Sequence, residues 1–341
     1  MRRARAQEEG SRLMIWSMHD KANAAAGNPY FPAELYKCCE AKKALFVRQA
    51  VRQGRKSKTV ILSHINLLMV GWAIKKINPS ANLILMAHGI EIWNDISASK
   101  SKMLGAVDQI WAVSNYTRSK VMQSHGIAPK KISVLNNCLD PFLPQARNIA
   151  VPASLYQRYG IREHHKILFT LTRLSSKEKY KGYDDVVAAL AALKDPDIKY
   201  ILAGKADAAE TAAMQQKINA AGLQEQVLLA GFIPDAELAA HFKMSHCYIM
   251  PSSKEGFGIV FIEAMFYGLP VIGGNADGTM DALKNGELGT VVEPGNVNAI
   301  KAAVQKVLAS SKNHMPNHTM LMQHFGYDVY KERMGELLNL K

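Results

Sequence analysis

Two glutamates, Glu255 and Glu263, stand eight residues apart in SSKEGFGIVFIEAMFYGLPVIGG, Ser252 to Gly274. Gly256, Phe257 and Gly258 follow the first, and an apolar run of helical pattern opens at Ile259. Glycines clear side chains from places where a ligand's phosphate or backbone approaches. A helix start offers unpaired N–H groups and the positive end of its dipole, a natural seat for phosphate. Glu263 lies one turn beyond Ile259 on the same helical face. Carboxylates hold vicinal hydroxyls through charge-assisted hydrogen bonds, so this set suits a polyhydroxylated ligand that carries a diphosphate. The competing reading makes Glu255 a helix cap and Glu263 half of a surface ion pair. Against it, Glu263 stands among Phe261, Ile262, Ala264, Met265 and Phe266, a poor place for a solvated carboxylate.

Other polar residues fall at similar places. In LTRLSSKEKYKGYDDVV (171–187), Arg173 sits at a strand end and Lys181 opens a turn into a helix. A guanidinium and an ammonium there neutralise a diphosphate leaving group, or else belong to a basic loop that solvates itself beside Lys177 and Lys179. In AGFIPDAEL (230–238) the backbone at Phe232 and Ile233 is placed to pair with a nucleobase edge, while Asp235 reads equally well as an N-cap. In LMAHGIEIW, His88 ends a strand with Glu91 just beyond, and a functional and a structural role are evenly matched. His64, Asn66, Ser114 and Asn115 also fall at strand ends. None of them is read as catalytic, and Ser114 is expected to cap the helix after it. DPD at 195–197 is read as a turn before a strand.

These residues need elements to hold them. Apolar runs read as strands in RLMIWSM, TVILSHI, NLILMAHG, QIWAVS and KISVLNN. After a Pro-rich stretch (140–155) they resume in KILFTLTRL, IKYILAGKA, QVLLAGFI, CYIMPSS, PVIGG and LGTVVEP. Helical patterns at 182–194, 207–221, 235–244, 259–267 and 298–310 alternate with them. Continuous apolar strands between helices predict parallel sheets covered on both faces, hence an α/β chain of two doubly wound, Rossmann-like domains. Ligands of such sheets bind beyond the carboxyl ends of the strands, where every polar cluster above falls.

The chain has 341 residues, 48% of them hydrophobic, enough for two domains with real cores. Its formal charge of +13 is lopsided: residues 1–150 hold 22 basic and 9 acidic residues, residues 151–341 hold 20 of each. Such a half either meets an anionic partner or presents a solvated basic face. ELYKCCEAKKALFVRQAVRQGRKSK (34–58), with eight basic and two acidic residues, reads as a basic amphipathic helix, suited to an anionic membrane or to plain solvation. Four cysteines without zinc spacing fit a reducing cytosol and argue against disulfides and structural metal. INLLMVGWAI is too short to span a bilayer, and MRRARAQEEG lacks the apolar region of a secretory signal, so membrane contact is expected to be peripheral.

EGFGIVFIEAMFYGLPVIGG, with RLSSKEKYKGYDDV upstream and HGIEIW before it, resembles glycosyltransferase family 4, enzymes of the GT-B fold. AVSNYT, VLNNCLDPF and NADGTMDALKNGELGTVVEPGN extend the resemblance over nearly the whole chain. It implies retaining transfer of a hexosyl group from a nucleotide diphosphate sugar to a glycan or lipid-linked acceptor in cell-surface polysaccharide synthesis. Glu263 would hold the ribose, Glu255 with the amides of Gly256, Phe257 and Gly258 the donor sugar, and Arg173 and Lys181 the diphosphate. His88 would lie near the donor sugar, in an interdomain cleft. No metal is expected, and no cofactor beyond the substrate nucleotide sugar. The domains would be an acceptor half (1–148), a donor half (149–320) and a C-terminal helix (321–341) crossing back to the first. A cytoplasmic protein, peripheral at the inner membrane face, is implied.

The sequence departs from the family at its start. The family opens with a strand, a glycine-rich loop and a helix, whereas this chain reads as beginning inside that helix, at RRARAQEEG, and going directly to RLMIWSM. A fragment or a degenerate copy is expected on that ground. Rival functions are a nucleotide-sugar epimerase or hydrolase, which would need an acid/base pair where the first half shows no carboxylates paired beyond Glu91 and Asp95, and a non-catalytic nucleotide-sugar-binding subunit. Nucleic-acid binding is weakest, because the basic half carries no recognised module or aromatic platform.

Overall fold

The structure, a computed structural model, describes residues 13–309 and 315–339. The helical reading of RRARAQEEG lies outside the described residues. The chain divides into two compact units, the described residues to Leu135 with those from Tyr330 onward, and Asn136–Val329. The boundaries thus differ from the expected 148/149 and 320/321. The chain after Leu135 joins the second unit because its polar groups bond there: Leu139 N–H donates to the Phe325 carbonyl at 2.8 Å.

In the first unit, β1 (Ile15–Ser17) pairs in parallel with β2 (Tyr36–Cys38). A four-stranded parallel sheet runs in the order β3 (Thr59–Leu62), β4 (Asn82–Ala87), β5 (Gln109–Ala112), β6 (Ile132–Val134). The helices are α1 (Lys43–Gly54), α2 (Leu68–Ile77), α3 (Ile90–Trp93), α4 (Ala98–Gly105) and α5 (Asn115–His125). The strands are apolar without alternation because both faces are covered, as NLILMA in β4 illustrates. Ser114 caps α5 as expected, its Oγ accepting the Thr117 N–H at 3.0 Å.

The stretch 34–58 is not one helix. Its first part is β2, and Glu40 and Ala41 turn the chain with φ of 50° and 62° before α1 begins. On α1, Phe46, Val47, Ala50 and Val51 face a core shared with Val70 and Ile74 of α2. Leu45, Arg48 and Arg52, at helical spacing on the opposite side, are exposed.

The second unit holds α6 (Ala153–Arg158), β7 (Lys166–Leu171), α7 (Tyr183–Leu193), β8 (Ile198–Ala203), α8 (Ala208–Ala220), β9 (Val227–Gly231), α9 (Asp235–Met244) and β10 (Cys247–Met250). It continues with α10 (Ile259–Phe266), β11 (Val271–Gly274), α11 (Thr279–Ala282), β12 (Thr290–Val292), α12 (Val297–Ala309) and α13 (His318–Phe325). Its six parallel strands lie in the order β12-β11-β10-β7-β8-β9. The order reverses between β7 and β10, which pair directly, so the crevice of this doubly wound sheet opens at their carboxyl ends. The last helix, α14 (Tyr327–Leu337), runs into the first unit. There Met334, with Tyr330 and Leu337, packs on Ile84, Trp111 and Leu135.

Candidate functional site

The two turns at the reversal point carry Arg173 and Lys181 after β7, and Glu255 with Gly256–Gly258 after β10. They are tied at three places. Ser253 N–H donates to the Tyr180 carbonyl at 2.8 Å. Gly182 (φ 78°) lies so close to Pro251 that a Cβ there would stand 2.4 Å from the Pro251 carbonyl oxygen, which bars any larger residue. Lys181 Nζ also forms an ion pair with Glu255 Oε2, with side chains 13% and 19% exposed. The basic turn is therefore not merely self-solvating. Arg173 is more open, 75% exposed, and pairs with Glu178 Oε1 at 2.8 Å.

Neither bland reading of the glutamates holds. The residue that enters α10 is Gly258, with no side-chain cap, so Glu255 is not a helix cap. Among the described residues no lysine or arginine pairs with Glu263. Burial, followed by the negative charges of Asp140 and Asp235, holds its carboxyl above the ordinary value of 4.5. Glu263 is a half-buried acid on a helix whose Phe261, Ile262, Ala264, Met265 and Phe266 are core. Phe257 is buried against Phe325, ring centroids 5.5 Å apart, so its side chain anchors the turn and only its amide can serve a ligand.

After β9, Phe232 is 71% exposed while Ile233 is buried. Both line a cavity of about 350 Å³ with Arg158, Tyr159 and Glu237. Arg158 and Glu237 pair at 2.6 Å. Pro234, not Asp235, is the residue that enters α9, and Asp235 stands in the first turn. Asp195 accepts the Asp197 N–H at 3.1 Å in the turn before β8, as expected of DPD.

His88 belongs to the first unit. Its Nε2 lies 2.8 Å from the Ser63 carbonyl, which makes Nε2 the donor, and its N–H donates to Glu91 Oε1 at 2.6 Å. Ser63, His64 and Asn66 line a second cavity, of about 480 Å³, with Trp16, Tyr36 and Phe46. Glu91 is thus occupied by the backbone at His88.

One residue escaped the sequence reading. Asp277, in NADGTMDAL, is buried and bonds to the Glu255 turn. A carboxylate between alanine and glycine gives no periodic signal, and only its place after a strand end pointed toward the site.

Residues 154–319 match the family described as Glycosyl transferases group 1. A GDP-mannose-dependent alpha-(1-6)-phosphatidylinositol monomannoside mannosyltransferase of Mycolicibacterium smegmatis is 29% identical over 246 residues, 67% of this chain and 62% of that protein. An N-acetyl-alpha-D-glucosaminyl L-malate synthase of Bacillus anthracis is 28% identical over 261 residues, 74% of this chain and 64% of that protein. The chain thus spans less than two thirds of the length of these curated relatives. The solved structure of Anabaena Alr3699/HepE in complex with UDP and glucose superposes with a TM-score of 0.74 at 19% identity, over 90% of this chain and 87% of that one. Sucrose-phosphate synthase from Thermosynechococcus elongatus superposes with a TM-score of 0.71 at 18% identity, over 93% and 81%. The fold is GT-B.

Proposed function

Residues 154–319 belong to the group 1 glycosyl transferases, and from that premise we propose that this protein moves a sugar from a nucleotide diphosphate sugar to a glycan or lipid-linked acceptor, with retention of configuration. The observation that carries this reading is the ion pair between Lys181 and Glu255 at the sheet's reversal point. It gathers a cation for phosphate and a carboxylate for hydroxyls at one spot. Glu263 takes the ribose hydroxyls, and Phe232 and Ile233 the base. Arg173, Lys181 and the start of α10 at Ile259 take the diphosphate.

In the transfer, the bond from the sugar's anomeric carbon to the phosphate oxygen breaks and the bond to the acceptor oxygen forms. The acceptor's proton passes to the departing phosphate oxygen. Arg173 and Lys181 stabilise the charge that develops on the diphosphate. As Lys181 turns to phosphate, Glu255 is released to accept hydrogen bonds from the sugar, which it orients together with the amides of Gly256, Phe257 and Gly258. The family resemblance extends the proposal to His88 as a further contact of the donor sugar. This scheme needs neither a metal nor a further cofactor.

The acceptor is proposed to sit at the first unit's cavity beside His64 and Asn66. That unit would touch an anionic membrane from the cytoplasmic side, consistent with a role in cell-surface polysaccharide synthesis. Support comes from the segment Ala41–Ile90, which contains nine lysines and arginines and no aspartate or glutamate. No helix among the described residues is long and apolar enough to cross a membrane.

The test is calorimetric titration with UDP-, GDP- and ADP-sugars, repeated on Glu263→Ala, followed by turnover with a lipid acceptor. Binding of one donor, lost in the variant, with sugar appearing on the acceptor, supports the reading. Donor binding with hydrolysis, epimerisation or no reaction would replace it with one of the rivals. Folded protein that binds no donor would remove it.

A further inference from the structure

Asp277 lies between β11 and α11 and is 1% exposed. Its Oδ2 accepts the Glu255 N–H at 2.6 Å and the Ser252 hydroxyl at 2.7 Å. Its Oδ1 accepts the Thr279 N–H at 2.9 Å. The next residue completes the grip, because Gly278 N–H donates to the Glu255 carbonyl at 2.8 Å. Both main-chain polar groups of Glu255 are therefore held by two consecutive residues of another loop. The loop lies flush against the turn: a Cβ at Gly278 would stand 2.1 Å from the Gly256 carbonyl oxygen.

A buried carboxylate is costly unless it is paired or fully hydrogen-bonded. Among the described residues no lysine or arginine pairs with Asp277, so the donors named above are what hold its charge. Hydrogen bonds to an ionised acceptor are roughly twice as strong as neutral ones. A neutral side chain would join the two loops at lower desolvation cost, but more loosely. What the charge adds is rigidity at residue 255, whose side chain must point at one spot to meet Lys181.

We infer that Asp277 is a positioning residue for the transfer, fixing Glu255 by its main chain so that the Glu255 carboxylate meets the donor sugar. The inference rests on the proposed role of Glu255 as the sugar-holding acid. It has a selective consequence. The nucleoside is assigned to Glu263, Phe232 and Ile233 and the diphosphate to Arg173, Lys181 and the start of α10, and Asp277 bonds to none of these. Loss of Asp277 should weaken recognition of the sugar and spare the nucleotide.

The experiment compares GDP with GDP-mannose and UDP with UDP-glucose, titrated by calorimetry into wild type, Glu255→Gln, Asp277→Asn and Ser252→Ala, with Tm recorded for each. In the pair that wild type binds, the sugar nucleotide is expected to lose about tenfold in affinity in Asp277→Asn and in Glu255→Gln, on the order of one charge-assisted hydrogen bond. The free nucleotide should stay within about twofold, and Ser252→Ala should show a smaller loss of the same kind. Should Asp277→Asn fail to fold, Ser252→Ala decides by the same criterion. Wild-type affinities in Asp277→Asn beside a sugar-selective loss in Glu255→Gln would overturn the inference and leave the proposed function standing. Equal loss of both ligands, tracking Tm, would make Asp277 merely structural. An unchanged Glu255→Gln would remove the sugar-holding role, and the inference with it.

Discussion

Lys181 Nζ and Glu255 Oε2 pair although 74 residues separate them in the chain. The sheet's strand order brings them together, since β7 and β10 are neighbours at the reversal. A half-buried pair of this kind gives little net stability, because desolvation offsets most of the attraction. Under the proposed function its use lies in being exchangeable. A diphosphate arriving at the start of α10 offers Lys181 more negative charge than Glu255 does. Lys181→Ala is therefore expected to reduce kcat/KM about 100-fold, the usual effect of removing one transition-state donor. Lys181→Arg should recover part of it. Steady-state kinetics with the bound donor checks this, and a change below about twofold would take Lys181 off the diphosphate.

Arg173 should separate activity from stability more cleanly. Its side chain is 75% exposed and its partner is Glu178. Glu178 itself is only 14% exposed, so Arg173→Ala alone would strand a half-buried carboxylate. Arg173→Ala combined with Glu178→Gln, which strands no charge, should leave Tm within about 2–4 °C of wild type while kcat falls about 100-fold. Thermal unfolding and initial rates on one preparation test both halves. A fall in Tm without loss of rate would assign Arg173 to the loop's structure.

Glu263 makes a prediction with a definite pH sign. Burial raises its carboxyl pKa above 4.5, the ordinary glutamate value that applies in the unfolded chain. The folded protein therefore holds its proton more tightly than the unfolded one. The stability this supplies is fully present below 4.5 and is lost as pH rises through the folded value. At neutral pH the ionised, half-buried carboxylate is a net burden. Glu263→Gln should accordingly raise Tm near pH 7 by about 2–4 °C, the shift that roughly 1 kcal/mol produces in a unit of this size. The gain should shrink as the pH is lowered toward 4.5, and donor affinity should fall at every pH. Unfolding scans across that range decide it, and a Tm gap that widened on acidification would contradict the assignment.

The second unit was legible because its signals agree. Mostly apolar runs such as KILFTL and IKYILA fit strands covered on both sides, and helical stretches alternate with them. The place of the candidate site was legible too, since a carboxyl strand end and a glycine turn are both local. Two things were not legible. Tyr36–Cys38 sits beside a strongly helical stretch, and its strand state comes from pairing with Ile15–Ser17, a non-local partner. Asp277 acts through hydrogen bonds to residues 22 and 25 positions away, which no pattern of period 2 or 3.6 records.

The first unit makes the remaining prediction. On α1, Leu45, Arg48 and Arg52 lie at helical spacing and are exposed, and Arg55, Lys56 and Lys58 continue the charge beyond its end. On the neighbouring α2, Met69 and Ile77 are exposed, and Lys76 Nζ stands 5.4 Å from the Trp72 ring centroid. Basic side chains interleaved with exposed apolar ones suit the headgroup region of an anionic bilayer better than they suit water alone. Each lysine or arginine near such a surface contributes about 1 kcal/mol, screened within a Debye length. Replacing Arg48, Arg52 and Lys56 together by glutamine should weaken binding to phosphatidylserine-containing vesicles about 100-fold. Raising the salt should do much the same to wild type. Affinity for the donor, whose proposed nucleotide contacts lie in the second unit, should not change. Vesicle sedimentation with and without the anionic lipid measures the first effects, and calorimetry the last. Equal binding to neutral and anionic vesicles, or none to either, would return the basic face to plain solvation.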